Sequence, residues 1–348
     1  MSDVRTPEHP ATPQAEHPAT PRAEHPVTPR AERTGASWLA AGKRTMREFK
    51  QDALTDRAAT LTYYAVLAIF PGILFLVSLL GLLGKRATQP LVTNLATVVP
   101  ASVRHTFLSS VTRLQHGHAT AVVLAIVAMA AALWSASSYV AAFMRASNVI
   151  YDVPEGRPVW KTLPIRLGVT LVMMIMLIAS ALIFVVTGGL ASRAGRVLGI
   201  GPAAVTAWDI AKWPVLLILV SLMLAVLYWA SPNARQGGIR SLSPGGGLAV
   251  VVWLIASGLF TLYVANFGHY NKVYGSLAAV IVLLVWLWIS NIAVLLGAEF
   301  NAELQRGRAM AAGAPADKEP FVELRDTTKL RKAARRKAGT RKAASRAS

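Results

Sequence analysis

SLAAVIVLLVWLWISNIAVLLGA, residues 276–298, runs from Ser276 to Ala298 without a charged side chain. A helix needs about 20 apolar residues to cross about 30 Å of hydrocarbon. Five further stretches read the same way, at about 61–83, 119–143, 167–190, 213–229 and 247–265, and none carries a charge in its interior. The fold class they predict is all-α. The chain is expected to be a polytopic membrane protein with six transmembrane helices.

The remaining composition agrees with that reading. The chain has 348 residues, 54% of them hydrophobic, and a mean hydropathy of +0.45. A soluble domain has about 45–50% apolar residues. There is no cysteine, so disulfides and thiolate metal sites are excluded. No cofactor or resident metal is expected.

The net charge is +19. From Arg306 onward there are 13 Lys and Arg against four acids, Asp317, Glu319, Glu323 and Asp326. Basic segments attract nucleic acid or anionic membrane surfaces. This one follows directly on a span, so membrane lipids with anionic headgroups are the expected partner, each basic residue contributing about 1 kcal/mol. Readers of single-stranded nucleic acid interleave aromatic residues with basic ones, and beyond Phe321 there are none. No specific nucleic-acid partner is expected.

Orientation follows the distribution of Lys and Arg. Of the 36, 28 fall on the side that holds both termini and eight on the other. Both termini are therefore expected in the cytoplasm. Trp160, Trp208, Trp213 and Trp229 lie near span ends, as interface aromatics do.

Three segments are expected. Residues 1–36 include an eight-residue repeat over 8–31, EHPATPQA, EHPATPRA, EHPVTPRA, whose prolines oppose helix and strand ladders. They read as a disordered tail without an apolar signal-peptide core, which leaves the first span as the insertion signal. Residues 37–308 form the membrane domain. It opens with an interfacial helix over 37–57, capped by Ser37, with Trp38, Met46, Phe49 and Ala53 on one stripe. Residues 309–348 read as a basic disordered tail. Between spans one and two, Gly84–His118 reads as two short surface helices divided at Pro100. Ser243-Pro244-Gly245-Gly246-Gly247 reads as a flexible connector.

Polar groups near the spans are the candidate site residues. Pro71-Gly72 interrupts the first span, and a proline there needs a neighbour to satisfy the carbonyl it frees. A packing kink and a hinge at a cavity wall are both open. Asn291 in hydrocarbon needs a hydrogen-bond partner on another helix or in a polar cavity. Thr62, Tyr63, Tyr64, Ser135, Ser137, Ser138, Tyr139 and Tyr263 add polar groups that either line a path or satisfy one another. Glu299 ends the last span, with Glu303 one turn on. A carboxylate near a helix C-terminus wants a cation, and Arg57 and Arg145 are the candidates. A structural ion pair and a gating role both fit.

Enzyme signals are poor. His116-Gly117-His118 begins a metallo-hydrolase pattern HxHxDH, but Ala119 and Thr120 stand where the Asp and His belong. There is no HExxH, Walker A or GxSxG motif, and no clustered carboxylates for a nuclease metal site. The chain is expected not to be an enzyme.

Three stretches carry a family resemblance. LTYYAVLAIFPGILFLVSLLGLLG (61–84), LWSASSYVAAFMRASNVIYDVPEGRPVWK (133–161) and YGSLAAVIVLLVWLWISNIAVLLGAEFNAEL (274–304) occur in order and resemble the YihY/BrkB family of bacterial inner-membrane proteins over about residues 40–308. The resemblance implies six spans in the cytoplasmic membrane and transport of a lipid or envelope-related solute. A non-transporting scaffold with a lipid-binding basic tail is the alternative. Members were once filed as ribonuclease BN, an activity the incomplete HxHxDH pattern argues against here. By position, the family-pattern residues are Arg57, Tyr63, Tyr64, Pro71, Gly72, Trp134, Asn148, Tyr151, Arg157, Tyr274, Gly275, Gly297, Glu299 and Asn301. The resemblance transfers no catalytic residue. The octapeptide repeat is an addition to the family pattern.

Overall fold

A computed structural model describes residues 30–82, 118–185, 201–238, 243–266, 276–315 and 319–347. The octapeptide repeat, the loop over 84–117 with His116, and two candidate residues, Tyr274 and Gly275, lie outside the described residues.

Among the described residues there are eight helices: α1 (Arg30–Gln51), α2 (Leu54–Leu82), α3 (His118–Ile150), α4 (Val159–Val185), α5 (Pro202–Ala230), α6 (Ser243–Asn266), α7 (Ser276–Ala311) and α8 (Thr328–Ala347). Six of them, α2 to α7, are long and apolar enough to cross a membrane. An even number of crossings puts α1 and α8 on one face, the termini side. Among the described residues there is no strand, only an isolated bridge from Ala234 to Leu324.

The helices outrun the apolar stretches that announce them. α4 begins at Val159 rather than Leu167, which brings Lys161 and Arg166 into the helix. α7 continues past Ala298 to Ala311, carrying Glu299 and Glu303. An apolar run measures the thickness of the hydrocarbon, whereas a backbone ladder continues until a cap or a turn ends it.

The six spans close into a ring. Each packs on the one before it, and α7 packs back on α2. Burial in the ring is uneven. At the termini side, Leu54, Leu61, Phe143, Leu227, Tyr228 and Leu295 form a tight core. Toward the opposite side, large side chains of every span stay exposed, among them Phe70, Ile126, Ile175, Ile218, Leu259 and Val280. Ala128 and Ala132 of α3 are buried there, as is Lys212 of α5, which pairs with Asp209 at 3.0 Å.

Three local expectations are corrected. The face that the N-terminal helix buries is not the stripe read from the sequence. Ala41 and Thr45 are its buried face, Met46 is exposed, and Ala53 sits at a φ of 49° in the turn between α1 and α2. α1 packs on α7 through Ala41, Phe300 and Leu304, with Trp38 edge-on to Phe300. Arg44 pairs with Glu303 and also donates to its carbonyl at 3.0 Å. The buried contact and the ion pair dock α1 on the termini-side end of α7. Ser37 lies inside the helix rather than at its cap.

The glycine run is no flexible connector either. Ser243–Gly247 is the first turn of α6. The third correction concerns 309–348, because residues 321–329 of that segment pack on the core or bond to it. Phe321, Val322 and Leu324 pack on the core, and α8 follows. An apolar-rich stretch of four residues, Phe321-Val322-Glu323-Leu324, supplies the burial that the basic composition around it conceals.

Candidate functional site

Polar side chains occupy two levels of the ring. Within the membrane, Asn291 of α7 accepts from the Tyr139 hydroxyl of α3 at 2.8 Å through Oδ1. Its Nδ2 donates to Thr62 Oγ1 of α2 at 3.0 Å, and Thr62 donates in turn to the Ala58 carbonyl at 2.8 Å. Three helices are joined through one amide. Thr62, Tyr139 and Asn291 thus satisfy one another.

One level further from the termini side, the proline problem is solved in the same way. Pro71 frees the Leu67 carbonyl four residues before it. Ser135 Oγ of α3 donates to that carbonyl at 3.0 Å. Gly72 makes no close contact, and Tyr63 is exposed with its ring edge-on to Tyr64.

Glu299 lies above this layer, 1% exposed, and its Oε2 has no hydrogen-bond partner. Neither expected cation reaches it. Arg57 donates Nε to the Asp52 carbonyl at 2.8 Å, and Arg145 is exposed. The cations go to Glu303 instead, which pairs with Arg44 and lies 3.3 Å from Arg306 Nε. Around Glu299 stand Asp52, Glu303, Glu48 and Asp152. Burial, with Asp152 adding its charge, pushes the Asp52 carboxyl up to about 6. Asp152 is likewise raised, by burial and then by Glu319, although Arg306 Nη2 donates to it at 2.8 Å. Tyr151 is buried, accepts from Gln305 Nε2 at 3.1 Å and stacks on Phe321. Among the described residues no group of three or more His, Cys, Asp or Glu is placed to hold a metal ion.

A second polar cluster closes the termini side. Arg157 donates to Glu155 from Nε and Nη2, both at 2.8 Å, and Asn148 Nδ2 donates to the same carboxylate at 2.9 Å. Burial raises the Glu155 carboxyl, but these bonds outweigh it and hold the group below the ordinary range. Arg157 also reaches the Ser231 carbonyl at 2.8 Å at the end of α5. Asn233 joins three segments: its N–H donates to Asn148 Oδ1 at 2.8 Å, and its side chain exchanges two bonds with the Asp326 backbone. Lys161 and Thr328 bond the Asp326 carboxylate, which holds it well below its usual range. Gly156 is required here, because a Cβ would come within 2.0 Å of the Asp326 carbonyl oxygen.

Glycine also sets the α6–α7 contact. A Cβ on Gly297 would meet the Gly245 carbonyl oxygen at 2.4 Å, and one on Gly245 would meet that of Gly297 at 2.2 Å. Asn301 Oδ1 accepts from the Gly245 N–H at 2.9 Å.

The sequence-predicted residues thus divide. Asn148, Arg157, Gly297 and Asn301 hold helices and loops together, as do Tyr151 and Asn291. Glu299 alone is buried with an unpartnered oxygen. Trp134 is exposed and carries Arg166 over its ring, at 5.5 Å from guanidinium carbon to centroid. Arg166, Glu155 and Asn233 were not singled out by sequence. Arg166 stood at the edge of an apolar run, and the other two lie in loops without a periodic signal.

This architecture defines a multi-pass α-helical membrane protein with a ring of six spans, tied at one end by polar side chains. The family model for virulence factor BrkB matches residues 45–320, and the chain belongs to that family. It is 28% identical to the ribonuclease-like protein YfkH of Bacillus subtilis over 73% of this chain and 91% of that protein. It is 30% identical to a UPF0761 membrane protein of Alkalilimnicola ehrlichii over 77% of this chain, and the match spans 60% of that relative's length. A UPF0761 membrane protein of Tolumonas auensis is 41% identical over 26% of this chain and 29% of its own length. No solved structure matches the chain.

Proposed function

We propose that this protein is a non-enzymatic translocator of the bacterial cytoplasmic membrane, moving or exchanging a lipid or an envelope-related solute. The observation that carries the reading is the uneven packing of the ring. All six spans bury side chains at the termini side, while their other halves keep large apolar side chains exposed. In that half an apolar cleft of about 580 Å³ opens between α6 and α7, lined by Phe260, Val264, Val282 and Trp286 among others. A ring sealed at one end and loosely packed at the other suits a substrate that enters from the bilayer.

Glu299, Glu303, Asp52 and Asp152 sit at the sealed end, and Asp209 of α5, at the other end, is paired with Lys212 at 3.0 Å. Facilitated exchange or lipid scrambling therefore fits better than proton coupling at mid-membrane. The excess of basic residues on the termini side supports a cytoplasmic placement of both ends. The name of YfkH raises ribonuclease chemistry, but the pattern at His116 to Thr120 lacks the Asp and His that a metal site of that type requires.

Lipid flipping in proteoliposomes tests the proposal. With fluorescent phospholipid and dithionite quenching of the outer leaflet, quenching beyond half the label supports translocation. The control is liposomes holding an unrelated six-span protein. Quenching that stops at half excludes scrambling of that lipid. Glu299→Gln and Asn291→Leu then locate the path.

A scaffold is the second reading, favoured by α8. That helix carries Lys329, Arg331, Lys332, Arg335, Arg336, Lys337, Arg341, Lys342 and Arg346 without an acidic residue. Anionic headgroups are its expected partner. Substituting Arg335, Arg336 and Lys337 by Gln abolishes function if the protein is a scaffold and spares lipid flipping if it is a translocator.

A further inference from the structure

Along α7 the polar side chains change partners from level to level. Asn291 bonds α2 and α3 within the membrane. Glu299 lies about 12 Å nearer the termini side at 1.5 Å per residue. Glu303, one turn beyond, takes the cations that reach this end of α7, Arg44 and, at 3.3 Å, Arg306 Nε. Arg306 is further committed to Asp152 at 2.8 Å and to the ring face of Phe321 at 4.8 Å. Arg47 pairs with Glu48 at 3.2 Å, and Arg57 donates to the backbone carbonyl of Asp52 rather than to a carboxylate. The cations stop one turn short of Glu299.

What faces Glu299 instead is negative: Asp52 in the turn between α1 and α2, Glu48 of α1, Asp152 beyond the end of α3, and Glu303 of α7 itself. Tyr151, the remaining titratable neighbour, is a buried phenol and brings no positive charge. Glu48, Asp152 and Glu303 each have an arginine partner. Among the described residues no cation lies within ion-pair distance of the Glu299 or Asp52 carboxylate. Glu299 is 1% exposed and its Oε2 makes no hydrogen bond. A buried anion with neither a cation nor a donor is very costly, whereas the same group as a carboxylic acid carries no charge. Among the described residues these acids are not grouped to hold a metal ion, and a proton is the ligand that needs no cavity.

We propose that Glu299 is a proton-binding site and that its bound proton keeps the α1–α2 turn docked on α7. With the proton in place, Glu299 presents a neutral group to Asp52. Loss of the proton to the termini-side water leaves two unpaired carboxylates against each other, and the turn gives way. Ala53 in that turn has a φ of 49°, a conformation that alanine keeps only where the surroundings impose it. The Asp52 carboxyl, already pushed up to about 6, agrees with a site that resists holding two charges at once. α1 keeps its own contact with α7 at Ala41, Phe300 and Leu304 and through Arg44, so the release is confined to the turn. The site lies at the sealed end of the ring and sets the packing there, whether or not the protein moves a substrate.

Infrared spectroscopy of the full chain in lipid nanodiscs tests the site through the carbonyl stretch of a protonated carboxylic acid. The wild type at about pH 7 shows a band that is absent from Glu299→Gln and that fades as the pH is raised. Asp52→Asn removes a charge that opposes ionisation of Glu299, so its band fades about one pH unit lower. A wild type without the band, a band that survives Glu299→Gln, or a midpoint that Asp52→Asn leaves unchanged overturns the proposal. Amide hydrogen exchange, corrected for its intrinsic pH dependence, reads the docking. Protection over residues 48–57 falls as the wild-type band fades, whereas Glu299→Gln, which imitates the protonated acid, keeps it. Loss of protection at the same pH in both refutes the role in docking. If Glu299→Gln does not fold, the shift of the band in Asp52→Asn decides.

Discussion

Ser135 of α3 donates its hydroxyl to the Leu67 carbonyl of α2 at 3.0 Å, four residues before Pro71. The proline creates an unpaired acceptor within the bilayer, and the neighbouring helix fills it. This ties α2 to α3 at the point where α2 would otherwise be weakest. The carbonyl that the proline frees is thus taken by protein.

The pair predicts a conditional cost. Ser135→Ala should destabilise the protein by about 1 kcal/mol, because it leaves a carbonyl within the span unsatisfied. Pro71→Ala restores the N–H that bonds the Leu67 carbonyl within α2. In that background Ser135→Ala should cost almost nothing. A double-mutant cycle read by thermal unfolding in detergent measures the coupling. Additive effects of the two substitutions would show that Ser135 does not act through that carbonyl.

At the α6–α7 contact, Gly297→Ala should be among the most damaging single-methyl changes in the chain. The new Cβ meets a backbone oxygen at 2.4 Å and the Ala249 Cβ and Tyr228 hydroxyl at 2.7 Å, so the helices must separate. Overpacking of this kind costs about 1–3 kcal/mol. Gly72→Ala, where nothing lies within 4 Å, is the internal control and should be close to neutral. Equal unfolding temperatures for the two variants would contradict the close approach.

Stability should depend on pH through Asp52. Its folded-state carboxyl is pushed up to about 6 from an ordinary value of 3.8. The folded protein therefore binds this proton more tightly than the unfolded chain, and the stabilisation from the protonated acid is lost as pH rises through about 6. Asp52→Asn removes the charge that the fold disfavours. It should raise the unfolding temperature at pH 7–8 by an amount equivalent to about 1 kcal/mol, after allowance for solvent screening, and have no effect near pH 4. Unfolding curves at three pH values check this, and a benefit that persists at pH 4 would rule Asp52 out as its source.

Two truncations separate the docked segment from the basic helix. Ending the chain after Arg308 removes Phe321 from Tyr151 and Asp326 from Asn233, and it leaves Arg157 and Asn148 without the segment that covers them. It should destabilise the termini-side core by several kcal/mol. Ending it after Lys332 keeps those contacts and the Lys329 N–H bond to the Gly156 carbonyl at 2.9 Å. That shorter deletion should unfold like the full chain. Loss of stability in both would mean that the distal part of α8 also carries structure.

Much of this protein was written in local sequence. The six apolar runs fixed the number of spans, because hydrocarbon thickness sets a length that composition alone can meet. The three ordered motifs located the family. Pro71 and Asn291 announced polar obligations in hydrocarbon, and the need for a partner on another helix followed from the cost of leaving them unmet.

The identity of each partner was decided only by the tertiary structure. Glu303, rather than Glu299, receives the cations, because α1 packs back on α7 and carries Arg44 there. Gly245 and Gly297 stand 52 positions apart in sequence and meet because α6 and α7 are neighbours in the ring. The segment around Phe321, placed by composition in a disordered tail, is held by a few half-buried side chains and by backbone bonds to Asn233 and Gly156. Composition averages over such contacts. They depend on which surfaces the folded chain brings together, and that is a property of packing rather than of any local run of residues.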